Sequence, residues 1–283
     1  MTIRDLQRQA TREAALQDAA VAAFDADLRR VYRRLTALVR AALATWETDA
    51  EGRTVTSAAN LVRLLALRRQ ARRLVRDAGF DEAASIAVSG PLDTLAASII
   101  RSHGGAVVGP NLAQLLQAWK DLRLADLLGV ADEAARVIAR VALDGTIGLR
   151  SVDRLILDVA RALELSQRQA RTVYDTAVSI FSRQVELSQA EGTPDELFVY
   201  VGPIDQRMRP FCEDWIGKVR TREFWDRLDN GQSGGVGNVM VFAGGWNCRH
   251  ALKRVSRLDD EVIALAGSDD RAPGVAAQLA AVA

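Results

Sequence analysis

The chain has 283 residues, 49% of them apolar and 26% charged, with a net charge of +1, a composition suited to a globular protein with one or two cores. The near balance of acids and bases excludes a general polyanion binder, so any nucleic-acid contact must come from a local patch. Two cysteines, Cys212 and Cys248, exclude a disulfide scaffold, and the only imidazoles are His103 and His250.

The apolar residues are mostly Ala, Leu and Val, a mixture suited to closely packed helices. The charged N-terminus, MTIRDLQRQATREAA, lacks the apolar core of a secretory signal. No run of about 18 apolar residues is free of charge, so the expectation is a chain made in a cytoplasm with no membrane span.

The first predicted helix runs from near Ile3 towards Glu51-Gly52. Phe24, Leu28, Val31, Leu35, Leu38 and Ala42 recur at spacings of four and three, one face for a partner. A helix of about 40 residues would extend about 60 Å, so it either kinks within a bundle or reaches out as an arm. A second helix starts at Thr56-Ser57 and stops at Gly79. It carries Arg63, Arg68, Arg69, Arg72, Arg73 and Arg76 with no acid among them, a solvated face or a contact for phosphates or an acidic protein surface.

Further helices are predicted over 81–102, 111–127, 131–143, 151–162 and 166–191. The punctuation is Gly104-Gly105, Gly109-Pro110, Gly145 and Gly148, with a capping-box pattern at Ser166-Gln167-Arg168-Gln169. In the last helix Val173, Ala177, Ile180, Phe181 and Val185 share a face. His103, beside two glycines and far from other ligand types, reads as a loop or cap residue. Glu191-Gly192-Thr193-Pro194 is a breaker and a domain boundary.

Beyond it the pattern turns to strands and loops. Residues 197–201 alternate as a strand, and Arg209-Pro210 turns into a short helix with Cys212 and Trp215, ended by Gly217. Thr221 opens another helix, residues 229–238 form a flexible loop, and Ala251 to Val255 is a last strand. The predicted class is mainly α with a small α+β C-terminal domain. Residues 1–145 form a helical docking or arm region, 146–192 a helical connector, 193–257 the small α+β domain and 258–283 a flexible tail.

The order D-x-R-x-R-P-x-C, then G-K-V, then a variable loop and N-C-R, occupies Asp205, Arg207, Arg209, Pro210, Cys212, Gly217, Lys218, Val219, Asn247, Cys248 and Arg249. Over about residues 150–257 the chain resembles the Mu F-like head-morphogenesis family of tailed-phage minor head proteins. That resemblance implies a low-copy virion protein, in the head interior or at the portal. Its partners would be the portal protein or the major capsid protein, and it would aid head assembly and DNA packaging or ejection. An accessory that binds double-stranded DNA through the Arg63–Arg76 helix is the first alternative, and a zinc-dependent enzyme or toxin-like module is the second.

Many members of that family carry a His before the last motif, where this chain has Gly244-Gly245-Trp246. His250 stands where the family usually has a last cysteine. Cys212, Cys248 and His250 are three acceptable zinc ligands, with Asp205 or water left to supply a fourth. A pair of reduced, core-packed thiols and a disulfide are the other two arrangements. For catalysis, Cys212 with His250 and Asn247 would resemble a thiol hydrolase, and Asp205 with Glu213 and Asp214 could hold magnesium. Neither has a supporting local motif, so the expected chain is not an enzyme and has no obligatory cofactor. Asp205 is expected to pair with Arg209 and brace the domain, while Asn247 ties a loop.

Overall fold

The computed structural model describes residues 2–103, 110–147, 149–190, 193–233, 237–256 and 260–282. The protein is mainly α, with one small antiparallel sheet in its C-terminal part. Five long helices come first: α1 (Ile3–Leu43), α2 (Ala58–Asp77), α3 (Phe80–Ser102), α4 (Pro110–Ile147) and α5 (Val152–Leu187). Then follow β1 (Leu197–Val201), α6 (Pro210–Trp215), β2 (Val219–Thr221), α7 (Arg222–Arg227), α8 (Val239–Phe242), β3 (Ala251–Arg254), α9 (Asp260–Leu265) and α10 (Pro273–Val282).

The chain divides into two compact units. One comprises residues 1–20, 90–120 and 175–283, the other residues 21–89 and 121–174. The division does not follow the segment limits read from the sequence, because α1, α3, α4 and α5 each supply residues to both units. A helix is continuous along the chain, yet neighbours in space are chosen by its buried face, turn by turn.

In the second unit α1 buries Phe24, Leu28, Val31, Leu35, Val39 and Leu43. The predicted stripe holds as far as Leu35 and then moves by one residue, from Leu38 and Ala42 to Val39 and Leu43. A straight helix of 3.6 residues per turn drifts about 20° per heptad against a strict 3.5 repeat. The helix is continuous, and buried residues recur from Ile3 to Leu43, so it is a packed element rather than a free arm.

Ser57 caps α2 by accepting from the Asn60 amide at 3.1 Å, and Gly79 ends it at φ +96°. Asn60, fully buried, accepts from the Glu47 amide and donates to the Glu47 and Val55 carbonyls, fastening the loop between α1 and α2. α3 lies in the one described stretch, 58–102, long and apolar enough to cross a membrane by composition, and its Leu92, Leu95 and Ile99 are buried against protein.

Three expected helix limits do not hold. The helices expected over 111–127 and 131–143 are one helix, α4, running through Gly129. A helical glycine costs about 1 kcal/mol, less than the burial of Leu127, Val130, Ala131, Ala134 and Ile138 returns. Gly145, expected to end a helix, lies inside α4, where a Cβ would stand 1.7 Å from Leu155 Cδ2. It is a close-approach residue. The expected start at Ser166 is also internal, since α5 is continuous and the Ser166 hydroxyl donates to the Ala162 carbonyl. Residues 104–109, Gly148 and the Glu191-Gly192 part of the expected boundary lie outside the described residues.

In the first unit the sheet order is β2-β1-β3, with β1 antiparallel to both neighbours: Phe198 pairs with Arg220 and Arg254. All five residues of β1 are buried, since the strand is central and covered on both faces. Ile3, Leu6 and Ala10 of α1 share this core with Trp225, Ile216 and Met240. Residues 258–283 were expected to be a flexible tail. Instead Val262, Leu265, Ala272 and Val275 are buried in the same core, because α9 and α10 each bring an apolar face to it. β2 and α8 are too short to register in the sequence pattern.

Candidate metal centre

The motif residues are delivered by three neighbouring pieces of the first unit: the segment after β1, α6, and the turn before β3. Pro210 occupies the first turn of α6, where it has no N–H of its own to leave unpaired, and Cys212 falls on the buried face. Gly217 ends α6 at φ +81°, and a Cβ there would press on Val275. Asn247 takes a left-handed φ of +55°, which turns the chain so that Cys248 and His250 both face inward.

Three candidate ligands of two types meet there. Cys212, Cys248 and His250 are 1%, 4% and 4% exposed, and their ligand atoms all lie within 4.8 Å of one another. The two sulfurs are 3.7 Å apart, far beyond a disulfide bond of about 2.05 Å, so the cysteines are free. Cys248 Sγ is 3.7 Å from His250 Nδ1 and accepts from the Gly244 amide at 3.2 Å. The Tyr200 phenol oxygen completes the cluster, 3.4 Å from Cys212 Sγ and 3.8 Å from Cys248 Sγ. The Tyr200 ring stacks on His250, with centroids 5.5 Å apart and planes 12° from parallel.

Titration is split between the two thiols. The contact from the Cys212 thiol, then His250 and Arg183, pulls Cys248 well below the ordinary thiol range, while that same contact and burial push Cys212 up. Burial and the two sulfurs push the Tyr200 phenol well above its usual value. Of the two thiols, Cys248 is the one whose surroundings favour loss of the proton.

Around this cluster the motif residues act as braces. The Arg249 guanidinium grips both Asp205 oxygens at 2.7 and 2.9 Å and reaches Asp18 at 3.2 Å, while Arg207 meets the other Asp18 oxygen at 3.0 Å. Burial disfavours the Asp205 charge, but Arg249 holds its carboxyl below the usual range. The expected Asp205–Arg209 pair does not form. Arg209 instead donates to the Gly244 and Trp246 carbonyls, because the turn at Pro210 aims it at the loop before β3. Asn247 and Thr176 bind reciprocally: the Asn247 amide donates to the hydroxyl, which donates to the Asn247 side-chain oxygen.

Of the catalytic arrangements weighed from the sequence, Cys212 and His250 come together, while the other members are placed elsewhere. Asn247 is committed to Thr176, and Glu213 and Asp214 are exposed. Asp205 is bound to Arg249, so it is no candidate for a fourth zinc ligand either.

Sequence reasoning missed several residues. Buried Arg183 of α5 donates to the Val241, Cys248 and His250 carbonyls, so one guanidinium ties down the segment that carries two of the three ligands. Lys253 of β3 is 0% exposed and donates to both Glu13 oxygens and to Glu186, which also meets His103 Nε2 at 2.8 Å. His103 is thus a partner of a buried carboxylate rather than a ligand. The signal available was a set of charges on faces otherwise read as apolar.

The donor set suits a soft or borderline ion: two sulfurs 3.7 Å apart, and an imidazole nitrogen 3.7 Å from one of them. The basic helix α2, in the second unit, behaves differently from its sequence. Arg72 pairs with Asp81 and Asp132, Arg73 and Arg76 with Asp77, and Arg63 with Glu47. Arg68 and Arg69 remain exposed without an acidic partner among the described residues. Comparison with protein-family models, curated proteins and solved structures found no match to this chain.

Proposed function

We propose that this chain is a minor head protein of a tailed phage. It is a non-enzymatic component of the virion, in the head interior or at the portal, whose partners are the portal protein or the major capsid protein. The observation that carries this reading is the use to which the motif is put. Asp205 with Arg249, Arg209 with the Gly244 loop, and Cys212 with Cys248 are each more than 30 residues apart in the chain, and each pair braces one small module. That is what a motif retained for architecture does, and it agrees with the resemblance to Mu F-like proteins. The thiols and the imidazole are sealed from solvent, where no substrate reaches a nucleophile, which supports a structural role over a hydrolytic one.

The test is to purify procapsids and mature particles of the phage that encodes the chain. Quantitative mass spectrometry is expected to find it at low copy number beside the portal, and imaging of the particle to find density for it there. Its absence from both kinds of particle would refute the proposal.

Arg68 and Arg69, exposed and without an acidic partner among the described residues, favour the second reading, a DNA-binding accessory of packaging or ejection. Two free cations, rather than six, predict weak binding with a shallow salt dependence, the slope set by about two phosphates. Duplex retardation at low salt that is unchanged in the Arg68→Ala, Arg69→Ala double variant would dispose of it.

A further inference from the structure

We propose that Cys212, Cys248, His250 and Tyr200 form a closed, four-coordinate site for a thiophilic divalent ion, zinc foremost, with the Tyr200 phenolate as the fourth ligand.

The argument starts from distances. A tetrahedral zinc with Zn–S of about 2.3 Å and Zn–N or Zn–O of about 2.0 Å spans about 3.8 Å between sulfurs, about 3.6 Å from sulfur to nitrogen and about 3.5 Å from sulfur to oxygen. The structure has 3.7 Å between the sulfurs and 3.7 Å from Cys248 Sγ to His250 Nδ1. Tyr200 lies 3.4 and 3.8 Å from the two sulfurs. Four edges of the tetrahedron thus already have the lengths an ion would impose.

Space and charge point the same way. The position that a Cβ on Gly244 would occupy has Cys212 Sγ at 2.5 Å, Cys248 Sγ at 3.2 Å and the Tyr200 oxygen at 3.5 Å as its nearest neighbours. Glycine leaves room between those donors. A Cβ on Gly202 would fall 2.5 Å from the His250 ring, so the imidazole also depends on a bare backbone. His250 Nε2 is buried with no partner among the described residues, so the ring's polar contact there is made through Nδ1 at Cys248. Burying an imidazole for a weak contact to sulfur is poor exchange for its lost hydration, whereas a metal bond offsets it. The Gly244 amide on Cys248 Sγ is the outer hydrogen bond that a thiolate ligand attracts. Two thiolates, a phenolate and a neutral imidazole around a divalent ion leave one negative charge, and Arg183, bound to the Cys248 and His250 carbonyls, stands beside it.

Without an ion, burial keeps the phenol protonated. A bound cation reverses that preference, and the thiol and phenol protons leave to solvent as it loads. The likeness to other phage proteins plays no part in the Tyr200 assignment, which stands or falls separately from the virion role.

The experiment uses the full chain, purified without chelator and then incubated with zinc. Elemental analysis is expected to find about one zinc per chain, as a closed structural site requires. Cobalt substitution is expected to give the visible bands of a tetrahedral, sulfur-ligated ion. Cys248→Ser should lose the metal. Tyr200→Phe, which keeps the buried ring, should keep the helical circular dichroism, bind zinc about tenfold or more weakly and shift the cobalt bands. Zinc far below one per chain after incubation, or retained in Cys248→Ser, would overturn the site. A Tyr200→Phe protein with wild-type affinity and cobalt spectrum would overturn the fourth ligand.

Discussion

Lys253→Met removes the cation from a site that holds two carboxylates out of water. The Lys253 ammonium lies 2.8 and 3.0 Å from the Glu13 oxygens and 2.6 Å from Glu186, and all three side chains are buried. Methionine fills nearly the same volume, so the loss is electrostatic rather than a cavity. Breaking a buried pair from one side costs about 3–5 kcal/mol, because the two carboxylates stay out of water and keep only Gln9 and His103 as partners among the described residues. For a chain of this size each kcal/mol moves the melting temperature by about 2–4 °C, so the expected fall is about 6–20 °C by calorimetry. Neutralising the acids as well, with Glu13→Gln and Glu186→Gln added to Lys253→Met, should recover most of it. The single variant should also recover relative to wild type as pH falls and its stranded carboxylates take up protons. A Lys253→Met protein melting within about 2 °C of wild type at pH 7 would refute the reasoning, because a stranded buried carboxylate must cost more than that.

Gly145→Ala places a methyl against Leu155, which is fully buried and cannot swing aside freely, so a loss of about 1–3 kcal/mol by urea denaturation is expected. Arg183→Met strands three carbonyls and should expose the turn before β3, seen as faster amide exchange at residues 248–250. The pH dependence follows from carboxyls held low by fold contacts. Burial opposes the Glu186 charge, but Lys253 and His103 hold it below its usual value, and Arg249 does so for Asp205. Their stabilisation is present above the unfolded carboxyl pKa of about 4 and is lost as pH falls through the lower folded values. Acid titration by circular dichroism should therefore show stability falling below about pH 4, with a shallower fall in Asp205→Asn.

The local elements of this protein are written in its sequence wherever a cap or a breaker is a matter of a few residues. Ser57 starts α2 and Gly79 stops it, Pro210 opens α6, Gly217 ends it, and residues 197–201 form a strand. The motif from Asp205 to Arg249 was equally visible, and its residues do converge. What periodicity overstated was punctuation: Gly129, Gly145 and Ser166 look like ends, yet burial of the flanking Ala, Leu and Ile carries the helices through. The sequence alone could also not distinguish a solvated charge from a buried one. Lys253, Arg183 and Glu186 acquire their meaning only when distant segments close around them. Nor could it choose the partner of Asp205, which took Arg249 rather than the nearer Arg209. Pairing across 40 residues is decided by where the chain folds back, and so is the place of Tyr200, a strand residue that the pattern marked only as apolar and that tertiary structure set against two cysteines and a histidine.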